Sequence, residues 1–145
     1  MAMPHFYGQV RSAGWRGVGL IAEAGLALAA AAAVVRLLPF RRAIRFGSAS
    51  LPAASAAVPV EVMRRIERSV EQAAARVPWR TVCLQKGLAL QWMLRRRGVD
   101  ALLHYGIGKD EAGALCAHVW VSAGPVMLIG SEQAPQFRTV AIYPS

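Results

Sequence analysis

The sequence predicts an α+β fold in which helices come first and an antiparallel sheet of about four strands follows. Two observations carry this. Apolar residues recur at helical i, i+3, i+4 spacing up to Gly98, and from Ala101 onward they alternate every second residue. Helices followed by strands, in that order, mark a layered α+β domain. Length adds a bound, because 145 residues allow one hydrophobic core and little beyond it.

The first helix is expected from about Trp15 to Leu38, stopped by Pro39. Its apolar segment, VGLIAEAGLALAAAAAVV (Val18 to Val35), is short and weakly hydrophobic for a membrane span, and Glu23 interrupts it. It reads as a buried or partner-packed helix. Arg11 and Arg16 ahead of it leave a signal peptide or a membrane anchor as the alternative. Arg36, Arg41, Arg42 and Arg45 follow, suiting either a solvated face or peripheral contact with a membrane. GSASLPAASAAVP (Gly47 to Pro59) is a linker of small residues and prolines. The expected division is 1–58, an N-terminal alanine-rich helix and linker, and 59–145, the core, the two forming one unit.

PVEVMRRIERSVEQAAAR is the second helix. Pro59 sits in its first turn, where a missing N–H costs nothing, and Glu61 suits the positive helix N-terminus. Met63, Ile66, Val70, Ala73 or Ala74, and then Val77 form its buried stripe, and Pro78 closes it. The third helix, about Thr81 to Arg97, is apolar on most sides and belongs in the middle of a domain. Arg95, Arg96 and Arg97 suit its C-terminal end and Gly98 terminates it. Strands are expected at Ala101–Gly108, Leu115–Ser122, Val126–Gly130 and Phe137–Tyr143, with KDEAGA as the first hairpin connection.

Composition narrows the function. Hydrophobic residues are 55% and charged residues 17%, a folding composition. Seventeen Lys and Arg against eight Asp and Glu give +9, almost all of it arginine, since Lys86 and Lys109 are the only lysines. Such a surface suits an acidic peptide or an anionic membrane, and no motif supports nucleic-acid binding. Two cysteines, Cys83 and Cys116, are too few for a disulfide scaffold and too far apart for a metal pair. A reducing, cytoplasmic setting without metal or cofactor follows.

Chemistry concentrates on two segments. RTVCLQKGLALQ puts Cys83 in the first turn of the third helix, where unpaired backbone N–H groups favour a thiolate and can hold an oxyanion. AHVWV alternates Cys116, His118 and Trp120 on one face of a strand. If that face meets the helix, His118 reaches Cys83 as its general base. Gly87, one turn after Cys83, costs a helix about 1 kcal/mol relative to alanine, and close approach of the strand gives it a reason. Trp79 and Trp120 flank these segments as candidate substrate-binding side chains. Cys116 lacks a helix N-terminus and reads as a bystander thiol. His104 has no evident partner, and His5 lies in a terminal segment.

These residues resemble the transglutaminase-like, papain-related cysteine proteases, and among them the leader peptidase of lasso-peptide biosynthesis. The likeness rests on CLQKGLALQWMLRRRGVDALLHYGIG and AHVWVSAGPVMLIG, with EAGLALAAAAAVVRLLPFRR less specific. It implies a Cys-His-Asp triad that removes the leader from a ribosomally made precursor peptide, whose freed core is closed by a separate ATP-dependent lasso cyclase. Carried over, Cys83 is the nucleophile, with its own backbone N–H in the oxyanion hole, and His118 the base. The third member departs from the pattern, because no Asp or Asn follows Asp110. Gly130 stands at the acid's position, with Glu132 as the nearby substitute and Gln133 as a weaker one. A neutral amide or a backbone carbonyl could also hold the imidazole tautomer. No segment here suits the leader-recognition domain fused to some members, so the resemblance implies a separate leader-recognition protein. The alternatives are a non-catalytic peptide-binding module of the same fold, and a small membrane-attached protein using residues 18–35.

Overall fold

The computed structural model describes residues 5–48 and 57–144, with side chains from residue 17 onward. Helices α1 (His5–Leu37), α2 (Phe40–Ala43), α3 (Val60–Ala74) and α4 (Cys83–Arg95) come first. Strands β1 (Ala101–Lys109), β2 (Leu115–Ala123), β3 (Val126–Met127) and β4 (Arg138–Tyr143) follow, with a 3-10 helix at Ser131–Gln136 before β4. The sheet is antiparallel throughout, in the order β3-β2-β1-β4. This is the expected α+β arrangement. The side chains of His5, Arg11 and Arg16, and residues 49–56 of the expected linker, lie outside the described residues.

α1 begins at His5 instead of Trp15. Gly8 and Gly14 each cost a helix about 1 kcal/mol, which weakens it without stopping it. Ala24, Ala27, Leu28 and Ala31, at helical spacing, are at most 2% exposed and join the core formed with α3 and α4. Val18, Leu26 and Leu37 on other faces are exposed. Against the expectation for Val18 to Val35, residues Gly17–Leu37 are by length and composition long and apolar enough to cross a membrane, with a mean hydropathy of 2.1. The alanines let α1 approach α4 closely, and Glu23 locks the contact by pairing with Arg97 and, at 3.6 Å, with Arg96. Arg97 Nη1 and Nη2 donate to Glu23 Oε1 and Oε2 at 2.8 and 2.6 Å. The bond to Arg97 holds the Glu23 carboxyl below its ordinary value of 4.5, against the opposing effect of burial, with the Arg97 and Arg96 charges adding to the lowering. A depressed carboxylate stabilises the fold fully above the unfolded value and loses that contribution as pH falls through the folded one. Replacing Glu23 by Gln is therefore expected to cost about 1.5–3 kcal/mol at neutral pH and progressively less below about pH 4.5, read from urea midpoints.

α4 is the central helix. Leu88, Leu90, Met93 and Leu94 are fully buried, each contributing about 1.5–3 kcal/mol of transfer free energy. Gln91, equally buried, donates through Nε2 to the carbonyls of Ala101 at 3.2 Å and Tyr143 at 2.8 Å, tying α4 to β1 and to the end of β4.

The sheet face that meets α4 is the opposite of the expected one. A Cβ on Gly87 would lie 2.8 Å from Val119 Cγ1 and 2.9 Å from Leu103 Cδ1. Val119, Val121 and Leu103 therefore face the helix, and strand alternation turns His118, Trp120 and Ser122 to the far side. Branched side chains fill an apolar helix–sheet interface better than an imidazole and an indole, each with a polar atom to satisfy. The expected close approach at Gly87 is present, made by Val119, the neighbour of His118. β3 is also shorter than expected. Beyond Met127 the chain still exchanges bonds with Val121 (Leu128 N to Val121 O 2.9 Å, Val121 N to Ile129 O 3.1 Å), while Leu128 and Ile129 turn into the core.

Candidate active site

Cys83 is the first residue of α4. Val82 before it is extended (φ −106°, ψ 162°), and no side chain caps this helix start. The backbone N–H groups of the first turn are thus left for another acceptor. The thiol is half-buried. Pro78 ends the preceding segment, and Trp79 is fixed beside the helix start by Nε1 donating to Gln85 Oε1 at 3.3 Å.

His118 stands on β2 opposite Gly106 of β1 and is 9% exposed. Its Nε2 is 2.8 Å from the carbonyl oxygen of Gly130. A carbonyl only accepts, so Nε2 carries the proton and Nδ1 is the basic nitrogen. Phe137 and Trp120 hold the ring, with centroids 4.9 and 6.1 Å away and planes tilted by 29° and 23°. Gly130 can be nothing else. Its φ is +80°, and a Cβ there would lie 3.2 Å from both His118 Nε2 and Trp120 Cα and would run into the Val119 carbonyl. Position 130 therefore presents a backbone dipole to the imidazole and no side chain.

Cys83 and His118 line one cleft of about 340 Å3, together with Gly130, Glu132 and Gln133. His118 borders it beside Gly130, whose carbonyl its Nε2 meets. Lys86, one turn after Cys83, pairs with Glu71 of α3 at 3.3 Å on the same cleft. Glu132 is an exposed residue of this cleft, and the ring nitrogen expected to meet an acid is held by the Gly130 carbonyl instead. Trp79 lies on the other side of the α4 start, lining a separate groove. Trp120 is 4% exposed and supports His118 and His104 without lining the cleft. Cys116 is half-buried opposite Gly108, two residues before His118. Asp110 turns the β1–β2 hairpin, accepting from the N–H groups of Ala112 and Ala114.

Phe137 and the Lys86–Glu71 pair had no signal in the sequence, since each depends on a partner distant along the chain. His104 does have partners. It stacks on Trp120 at 5.4 Å with planes 4° apart, and its Nε2 lies 2.7 Å from Ser122 Oγ. Burial lowers its pKa from 6.5. A base depressed in the fold leaves stability intact above the unfolded value and subtracts from it as pH falls below that value. Urea midpoints are expected to drop from about pH 8 to about pH 5, and His104→Phe to flatten that slope.

A thiol at an uncapped helix start and an imidazole with a basic Nδ1, on one cleft, are equipped for acyl transfer. Residues 25–141 match the family model of the transglutaminase-like superfamily. The match begins within α1 and ends in β4, so it takes in both segments of the cleft. No curated protein matches the chain, and no solved structure does.

Proposed function

The chain belongs to the transglutaminase-like superfamily, and on that premise we propose that it is a cysteine endopeptidase that removes the leader from a ribosomally made lasso-peptide precursor. The observation that supports this most is the shared cleft, in which Cys83 opens α4 and His118 has its Nε2 engaged by Gly130, leaving Nδ1 basic. Nδ1 takes the Cys83 proton, and the sulfur attacks the carbonyl carbon at the leader–core junction. The Cys83 N–H steadies the oxyanion. The C–N bond breaks as Nδ1–H protonates the departing core amine, leaving a leader thioester. Water, deprotonated by Nδ1, then cleaves the thioester, releasing the leader carboxylate and the thiol. The Gly130 carbonyl performs the orienting part of the missing acid, and Glu132 stays at the cleft in reserve. Thiol, imidazole and water balance the reaction without a cofactor.

In this reading the partners are the precursor, a separate leader-recognition protein and the ATP-dependent cyclase that receives the core. The setting is cytoplasmic, with α1 serving as a core helix through Ala24 to Ala31; contact of its exposed face with a membrane is the competing role. Incubating the purified chain with a lasso-peptide precursor, with and without a separate leader-recognition protein, tests the proposal. A mass corresponding to a single cut at the leader–core junction is expected, and an intact precursor under both conditions overturns it. A non-catalytic peptide-binding module is favoured by the missing carboxylate on His118. Alkylation of Cys83 at neutral pH no faster than that of Cys116 would select it.

A further inference from the structure

The start of α4 is flanked by two recesses. The cleft with the thiol lies on one side. On the other is a larger groove of about 580 Å3, floored by small residues of α1, of which Ala29 and Ala33 are exposed and Ala32 half-buried, and walled by Trp79. Ala29, Ala32 and Ala33 leave the trough, Leu37 ends it, and Arg36 and Arg80 border it. Both arginines are exposed and, among the described residues, neither has an ionic partner. Some other exposed arginines among the described residues are likewise without ion pairs, so the pair is distinguished by bordering one apolar groove together. The groove thus joins an apolar floor to two uncompensated positive charges.

Its position links it to the reaction. Arg80 and Cys83 are three residues apart on a segment that is extended at Val82. They are separated by at most about 10 Å of chain, the span of about three extended residues. A peptide whose scissile carbonyl meets Cys83 can cross the helix start and lie in the groove.

Building on the protease reading, we infer that this groove binds the acyl half of the peptide substrate, through a bulky apolar side chain followed by a carboxylate, about three to five residues before the scissile bond. The apolar side chain lies on the alanines against Trp79, and the carboxylate meets Arg36 and Arg80. Positive charge here selects an acidic leader, and a Lys at the same place is repelled.

Peptidyl chloromethyl ketones test this on the full chain, because the Cys83 sulfur displaces chloride from a peptide held in register. The probes carry acetyl-Leu-Glu, acetyl-Leu-Lys or acetyl-Ser-Glu ahead of Gly-Ala spacers of increasing length. Leu-Glu with a spacer of about three to five residues is expected to label Cys83 about tenfold faster than either control. Arg80→Glu and Ala33→Trp, which reverse a charge and fill the trough at exposed positions, should remove that advantage without changing the melting temperature. Equal labelling by all three anchors, with iodoacetamide still preferring Cys83 over Cys116 in the wild type, overturns the groove and spares the protease reading. If iodoacetamide shows no such preference, the protease reading falls. The groove is then judged by anisotropy of fluorescein-labelled Leu-Glu peptide, and binding insensitive to Arg80→Glu overturns it.

Discussion

If the chain is the proposed protease, Cys83→Ala is expected to abolish peptide cleavage, kcat/KM falling by at least about 10^4-fold while the chain stays folded. The two parts of this expectation have separate causes. The thiol is half-buried at a helix start, and alanine is the best helix former, so stability should change by no more than about 1 kcal/mol. In the proposed reaction the sulfur is the atom that forms the acyl bond, and among the described residues no second thiol lines the cleft. Cys116→Ser serves as the control. That residue sits on β2 opposite Gly108, away from any helix start, and its loss should leave turnover near normal. Cleavage retained by Cys83→Ala would remove the proposed nucleophile, and unfolding of the variant would show in its circular dichroism.

Gly130→Ala is expected to have the second-largest effect, and a different signature. At φ +80° any other residue carries strain of about 1–3 kcal/mol, and here the added methyl also meets the Val119 carbonyl. The loop can relieve that collision only by moving, which draws its carbonyl off His118 Nε2. Once free, the imidazole can take the other tautomer, with Nδ1 protonated and unable to act as the base. We expect kcat to fall by about 10^2- to 10^4-fold while KM changes little, alongside a lower melting temperature. The tautomer itself is readable from 15N shifts of the His118 ring, which should report Nε2–H in the native chain. Glu132→Gln separates the carbonyl from the carboxylate. A loss of less than about threefold leaves orientation with Gly130, and a loss comparable with that of Gly130→Ala would move it to Glu132.

Much of the fold was legible because it is written in local periodicity. The stripe through Ile66 and Val70, the all-round apolarity of α4 and the alternation in LCAHVWVS each follow from side chains a few residues apart, and each became the expected element. The position of Cys83 was legible for the same reason, since Pro78 fixes where the next helix can begin. The alternation of β2 said that His118 and Val119 face opposite ways, but both sets contain apolar residues and either could have been the inner one. Packing decided it, through the space at Gly87 that takes Val119 and Leu103. α1 runs ahead of the expected start at Trp15, through Gly8 and Gly14, because a long helix secured by its packed face tolerates residues that would end a short one.

By itself the sequence determined the order of helices and strands, the helix-start cysteine, the two strand histidines His104 and His118, and the absence of an Asp or Asn beyond Asp110. Only the tertiary structure decided which face of the sheet meets α4, that His118 borders the same cleft as Cys83, and that a backbone carbonyl meets its Nε2. The reason is physical. A side chain's chemistry is carried by its residue, whereas a backbone carbonyl is common to every residue and gains a role only when the fold aims it. At Gly130 a left-handed turn aims one at the imidazole.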